Sequence, residues 1–227
     1  MSDLPQGEEK ARRVRAMFSA IAGRYDLVNR VMTLGLDVVW RRRAVHELRL
    51  PRGALVVDLA CGTGDLCKEL RRSHYRPIGF DFSLGMLTAA TTDAPLVAAD
   101  VLRLPLRDAS AGGATCGFAL RNVVDLGAFF AEIARVVRPF GRIALLETSQ
   151  PTRPITQAVH SFYFTRVVPL IGTLLSDREA YRYLPKSAAY LPPVAEMLSM
   201  LRRAGFRDLR RFQLSGGAAQ LLLGTRA

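Results

Sequence analysis

Between Leu55 and Leu66 the chain reads LVVDLACGTGDL. An apolar, β-branched run, Leu55-Val56-Val57, ends in Asp58, and Gly62 and Gly64 follow directly. The order is strand, glycine turn, helix, the opening of an α/β nucleotide-binding unit. The glycines let the backbone turn tightly and remove Cβ atoms that would hold a ligand off the main chain. The dinucleotide pattern GxGxxG is not met, because Leu66 and Cys67 stand after Asp65 where a third glycine would be. A pyrophosphate prefers bare backbone N–H groups at a helix N-terminus. A carboxylate at the strand tip suits a ligand that carries an ammonium group.

Further acids follow at the same kind of position. Asp81 ends the next strand, about twenty residues on, where such a carboxylate accepts two ribose hydroxyls. Its other reading is a helix N-terminal charge, but Ser83 can already cap that helix. Asp100, one strand further out, can accept from an adenine amino group while the Val101 N–H donates to the ring. A turn residue opening a loop is the plainer reading of Asp100. Thr63 lies between the glycines and offers an N–H and a hydroxyl to a carboxylate. Cys61 and Cys67 read as small packing residues, since nothing nearby marks an activated thiolate. S-adenosylmethionine carries the ammonium, carboxylate, ribose and adenine that this set would meet, and the stretch resembles the first motif of class I methyltransferases.

The elements that must position these residues alternate. Strands are predicted at Leu55–Asp58, Pro77–Phe80, Leu96–Ala99, Thr115–Leu120 and Arg142–Glu147, with helices from Asp65 to Arg72, Ser83 to Ala90 and Leu126 to Val137. Such alternation implies an α/β, doubly wound parallel sheet, with ligands at the carboxyl ends of its strands. Asp58, Asp81, Asp100, Arg121 and Glu147 fall there. Before the first strand, residues 8–50 look helical, with Val14, Met17, Phe18 and Ile21 on one face and Gly23 as a stop. An apolar segment, Thr152–Leu175, interrupts the alternation and reads as two short helices. A helix at Pro193–Ala204 and two strands, Asp208–Leu214 and Ala218–Gly224, close the chain.

The 227 residues fit one domain, and 49% hydrophobic content supports a large core. The organisation expected is a helical cap over 1–50, a cofactor-binding core over 51–150, a helical substrate cover over 151–191, and a final helix with closing strands over 192–227. Net charge is +12, almost all of it from arginine. This favours polyanions or an anionic membrane face; a solvated arginine surface is an equal reading. No basic run is interleaved with stacking aromatics, so no nucleic-acid partner is expected. Three cysteines form neither a disulfide framework nor zinc spacing, and no metal site is expected. The chain opens polar, without a signal-peptide core, and no stretch of about twenty apolar residues could span a bilayer. A cytoplasmic protein is expected, and the sequence leaves a homodimer open.

Three stretches carry a more specific resemblance. They are MFSAIAGRYDLVNRVMTLGLDVVWRR, FALRNVVDLGAFFAEIARVVRPFGRIALLETSQP and YRYLPKSAAYLPP. Together they resemble the menaquinone/ubiquinone biosynthesis C-methyltransferase family over nearly the whole chain. The resemblance implies a Rossmann-like class I methyltransferase sheet with N-terminal helices and a helical insertion after the fifth strand. It implies S-adenosylmethionine as cofactor, with contacts at Thr63, Asp81, Asp100 and Val101 beside Asp58, Gly62 and Gly64. Departures occur: Gly117 stands where the family often has serine, Asp100 replaces a frequent asparagine, and Phe140 and Thr148 replace glycine and phenylalanine.

The implied reaction is methylation of a polyprenylated quinol ring carbon, demethylmenaquinol to menaquinol first among the candidates, with naphthoquinol and benzoquinol both open. Arg121, always protonated, can hold the phenolate, and Asn122 can orient the ring oxygen; an Arg121–Asp125 bridge is the structural alternative. Tyr25, Tyr181 and Tyr183 are candidate ring contacts, and His160 a candidate base. The lipid tail implies peripheral contact at the inner membrane face, through Ile155–Leu175 and arginines such as Arg12, Arg13, Arg153 and Arg166. A methyltransferase for another small molecule, a nucleic-acid binder and a non-catalytic assembly partner are the rival readings. The LRNV and YRYLPKS stretches count against the first, the want of a visible nucleic-acid module against the second, and the intact glycine motif against the third.

Overall fold

The computed structural model describes residues 7–151, 157, 163, 166, 187 and 190–227. Two helices come first, α1 (Gly7–Met32) and α2 (Leu36–Leu48). Then follow β1 (Leu55–Leu59), α3 (Asp65–Arg72), β2 (Arg76–Asp81), α4 (Leu84–Thr88) and β3 (Leu96–Ala98). β4 (Ala111–Gly117), a 3-10 turn at Leu120–Asn122, α5 (Leu126–Val136) and β5 (Val137–Thr148) complete the first half of the sheet. Beyond them lie α6 (Val194–Arg203), β6 (Phe206–Leu214) and β7 (Ala219–Arg226).

Seven strands form one sheet in the order β3-β2-β1-β4-β5-β7-β6. β1 to β5 are parallel, and β7 runs antiparallel between β5 and β6. The sheet is the α/β, Rossmann-like one that the sequence leads one to expect, with an antiparallel strand inserted near one edge. Side chains alternate across it, as the two-residue period of a strand requires. On one face Val57, Leu59, Ile143, Leu145 and Leu222 pack with Phe129, Phe130, Ile133, Met197 and Leu201 of α5 and α6. On the other, Val56, Ala144, Leu146, Leu221 and Leu223 meet Trp40, Leu48, Leu66 and Leu70 of α2 and α3. Sandwiching buries both faces, so these strands read as nearly continuous apolar runs.

Beyond shifts of one or two residues at element ends, the sequence expectations differ from the structure at three places. α1 does not stop at Gly23. Its buried face runs on through Val14, Phe18, Ile21, Val28 and Met32, and that burial outweighs the roughly 1 kcal/mol cost of an interior glycine. β4 begins at Ala111 and ends at Gly117, not Leu120, because Phe118 turns into the left-handed region at φ 60°. β5 begins at Val137: Val137 pairs with Ala111, and the ladder then resumes at Arg142 opposite Gly113, with the intervening residues bowed out. The two short helices expected over 152–175 lie outside the described residues, Gln157, Tyr163 and Arg166 excepted.

Candidate active site

A cavity of about 390 Å³ opens at the carboxyl ends of β1, β2 and β4, and α1 supplies its opposite wall. Asp58, Gly62, Thr63, Asp81, Asp100, Val101, Asn122 and Tyr25 all line it. The register of the sheet explains the convergence. Asp58 sits opposite Gly79 on β2 and Thr115 on β4, and Asp81 opposite Ala98 on β3, so the strand tips open on one side.

Asp58 is fully buried. Its cross-strand neighbour Thr115 donates its hydroxyl to Oδ1 at 2.8 Å, and the Cys67 thiol donates to Oδ2 at 3.5 Å. Burial nevertheless pushes the Asp58 carboxyl up to about 7, with the Asp81 charge adding to the shift and Arg41 opposing it. Asp81 ties the glycine turn to the second strand. Its two oxygens accept from the Gly62 N–H and the Ser83 N–H, each at 2.8 Å. Burial raises the Asp81 carboxyl as well, against those backbone bonds. Ser83 caps α4 as its sequence suggests, accepting from the Met86 N–H at 3.3 Å. Asp100 lines the cavity and also accepts from the Leu102 N–H at 2.9 Å, so it is a turn residue and a wall residue together.

The turn itself is strained in a regular way. Ala60, Gly62 and Gly64 all have left-handed backbones, at φ 52°, 55° and 84°. Gly64 does not line the cavity; it makes the turn. A Cβ there would lie 2.5 Å from Thr92 Cγ2, so both conformation and space demand glycine. Ala60 tolerates the same region at a cost of order 1–3 kcal/mol, a kind of strain that clusters at functional sites. The Thr63 hydroxyl donates to Asp26 Oδ1 of α1 at 2.5 Å, which leaves its N–H as the group to offer a ligand carboxylate.

The far end of the cavity is aromatic and amide. Tyr25 packs edge-on to Phe18 with ring centroids 5.7 Å apart. Burial raises its phenol, while the Arg121 charge and the Asn29 hydrogen bond pull the other way. Arg121 itself does not line the cavity. Its guanidinium and N–H both engage Glu147, which is fully buried, and its Nε donates to Ser187 Oγ at 3.2 Å. The sequence alternative of an Arg121–Asp125 bridge is corrected: Asp125 instead caps α5, accepting from the Ala128 N–H at 2.9 Å. Tyr181, Tyr183 and His160 lie outside the described residues.

Residues 6–226 match the ubiE/COQ5 methyltransferase family. The chain belongs to that family. A demethylmenaquinone methyltransferase of Roseiflexus castenholzii is 41% identical over 231 residues, covering 97% of this chain and 96% of its own. A ubiquinone/menaquinone biosynthesis C-methyltransferase UbiE of Citrifermentans bemidjiense is 38% identical over 230 residues, covering 96% and 98%. Among solved structures, a SAM-dependent methyltransferase of Thermotoga maritima superposes with a TM-score of 0.67 at 18% identity, over 93% of this chain and 99% of its own. Phosphoethanolamine N-methyltransferase 2 of Haemonchus contortus, in complex with S-adenosyl-L-methionine, gives 0.62 at 11% identity, over 82% and 52%. These two likenesses establish the fold.

One wall residue of this methyltransferase, and one tie across its cavity, escaped the sequence reading. Arg41 lines the cavity with only 7% of its surface exposed, paired to Asp37 and, at 3.5 Å, to Asp65. The signal was present: a buried arginine needs carboxylates, and Asp37 stands one helical turn before it. Lys10 of α1 donates to the Val123 carbonyl at 3.0 Å and stands 3.9 Å from the Tyr190 ring centre; burial draws its ammonium down to about 8. Val123 is a wall residue, so Lys10 fastens α1 across the cavity.

Proposed function

We propose that this chain methylates a ring carbon of a polyprenylated quinol, with demethylmenaquinol to menaquinol as the first candidate. The reading is carried by one observation: three carboxylates on adjacent strand positions share a cavity with a left-handed glycine turn, in a chain about 40% identical to named demethylmenaquinone methyltransferases. Neighbouring strands lie roughly 4.8 Å apart. Acids at the ends of three successive strands therefore spread over about 10 Å, the scale separating an amino-acid ammonium from an adenine on one small ligand.

The residues present fit S-adenosylmethionine. Asp58 and the Gly62–Gly64 turn would hold the ammonium, and the Thr63 N–H with Arg41 the carboxylate. Asp81 would accept from the ribose hydroxyls, and Asp100 with the Val101 N–H would meet the adenine. When bound, the cofactor supplies an electrophilic methyl group and departs as a neutral thioether. At the other end Tyr25, whose buried phenol stays protonated, and Asn122 would hold the quinol oxygen as it loses its proton. Arg121 contributes through its charge and by fixing the turn that carries Asn122, rather than by contact. In this reading the chain is one domain: 1–50 caps the site, 51–150 holds the cofactor, 151–191 covers the quinol with Tyr181 and Tyr183, and 192–227 closes the sheet.

The quinol tail is bilayer-soluble, while no helix of the described residues is long and apolar enough to cross a membrane. In the reading proposed here the enzyme works from the cytoplasm at the inner membrane face. The test is direct: purified protein, S-adenosylmethionine with a labelled methyl group, and reduced demethylmenaquinone, read by mass spectrometry. Label on a ring carbon supports the reading. Label only on an oxygen, or none with an active cofactor preparation, would overturn it.

A further inference from the structure

Large apolar side chains are seldom left in water together without a partner. Among the described residues eight are exposed, and five of them, Leu27, Val31, Leu34, Leu36 and Val39, fall between residues 27 and 39. They form a knuckle where α1 turns into α2. Leu34 stands at its tip, 78% exposed and in the left-handed region at φ 52°, next to Gly35 at φ 77°. Water at such a position favours asparagine or glycine. A leucine there gains nothing inside the fold.

The knuckle is held rigid by the residues around it. The Thr33 hydroxyl is 2.8 Å from both the Asn29 carbonyl and Asp37 Oδ1, the Gly35 N–H donates to the Arg30 carbonyl at 2.8 Å, and Arg30 pairs with Asp37 at 3.2 Å. Tyr163 donates to the Met32 carbonyl at 2.9 Å. An apolar wedge is thus preformed before any partner arrives. The two helices that meet there carry an excess of positive charge: residues 7–48 hold nine Lys and Arg against five Asp and Glu. Arg24 is exposed, and the Arg42 and Arg43 side chains keep 62% and 48% exposure even in their ion pairs. The same helix enters the active site, where Tyr25, two residues before Leu27, lines the cavity.

We infer that the α1–α2 knuckle docks on an anionic lipid bilayer, with Leu34 and its neighbours entering the interface and the flanking arginines meeting the headgroups. An apolar tip on a pair of basic helices suits that surface, which supplies hydrocarbon and negative charge together. The inference rests on the quinol reading above and names where the enzyme meets the membrane that holds its substrate. Docked there, α1 runs from the bilayer to the cavity wall, about 1.5 Å per residue, and gives the quinol a short path off the lipid.

The test uses the full chain with vesicles of phosphatidylglycerol and phosphatidylcholine, and with phosphatidylcholine alone. Sedimentation with the anionic vesicles is expected, lost at high salt and reduced at least tenfold in L34E/V39E. A tryptophan in Leu34→Trp should shift to the blue and be quenched by lipids brominated on their chains. The control Phe140→Trp, which replaces a side chain 71% exposed at the start of β5, should not be. Quenching at 140 but not at 34, or no sedimentation, would overturn the inference. So would self-association abolished by L34E/V39E without any lipid binding, which would make a second copy the occupant. Activity separates this outcome from the functional reading. L34E/V39E should methylate a tailless soluble quinol within twofold of the wild type and lose at least fivefold on a long-tailed quinol in vesicles. Lipid quenching at 34 in a protein that methylates neither quinol would uphold the docking surface and reject the quinol reading.

Discussion

Asp58→Asn should strengthen the ligand-free protein and weaken its grip on the cofactor. The carboxyl is fully buried and pushed up to about 7. A group whose folded value is raised contributes stability that is fully present below the unfolded value, about 4, and lost as pH rises through about 7. Between those limits the folded state holds the proton that the unfolded chain gives up. One pKa unit is about 1.4 kcal/mol, so a shift of roughly three units leaves about 4 kcal/mol of burial cost at pH 8. An asparagine keeps an acceptor for the Thr115 hydroxyl but turns an amide toward Cys67, which returns part of that gain. About 1–3 kcal/mol of net stabilisation at pH 8 is expected, shrinking toward zero at pH 5. Thermal melts of both proteins from pH 5 to 9 would measure it. With S-adenosylmethionine the sign reverses: the ligand ammonium needs the carboxylate, so the variant should bind about ten- to a hundredfold more weakly by calorimetry. The wild type should also release a proton on binding at pH 6.5, seen as a heat that varies with the buffer. A variant no more stable than wild type at pH 8, or one that binds the cofactor normally, would refute the placement of Asp58.

Two further outcomes follow from the same geometry. Asp81→Asn keeps one acceptor for the Gly62 and Ser83 N–H groups, so it should fold with a loss of about 1–2 kcal/mol while cofactor affinity falls at least tenfold; equal affinity in calorimetry would remove the ribose role. Arg121→Ala leaves Glu147 buried and unpaired, so a loss of about 3–5 kcal/mol in denaturant melts is expected, and restoring a neutral partner with Arg121→Met and Glu147→Gln together should recover stability but not turnover.

Much of the cavity wall was legible in sequence because it depends on local rules. A strand ends in an acid, a glycine turn follows, and ligands of such sheets lie at the carboxyl ends: that logic brings Asp58, Asp81 and Asp100 to one cavity, and all three line it. α3 is predicted and found at Asp65–Arg72 for the same reason, bounded by its own glycine turn. Pairings across the sheet were not legible. Arg121 follows β4 and Glu147 ends β5, 26 residues apart, and only the β4–β5 register, with Gly117 opposite Leu146, brings them together. The nearer Asp125 was the natural guess, and the helix N-terminus claimed it. The left-handed turns at Ala60 and Phe118 were hidden too, since neither residue type advertises a positive φ.

The N-terminal helix is where local and distant rules meet. Its apolar face forms a cluster separate from the two that hold the sheet, built on Val14, Phe18, Ile21, Val28, Met32 and Met86. Polar ties add to this packing around the cavity: Ser19 to Ser83 at 2.8 Å, Asp26 to Thr63 at 2.5 Å, and Arg30 to Asp65 at 3.3 Å. Each such bond contributes about 0.5–1.5 kcal/mol net, so the attachment of α1 depends on several of them together. The residues that close the cavity are therefore the ones that fasten its cap. This explains why a tyrosine, an aspartate and an asparagine, costly to bury alone, stand within five positions at Tyr25, Asp26 and Asn29. They are far from the glycine turn in sequence, yet Tyr25 lines the same cavity and Asp26 bonds Thr63 of the turn, so a substitution that disturbs the turn should also loosen the helix that carries Tyr25.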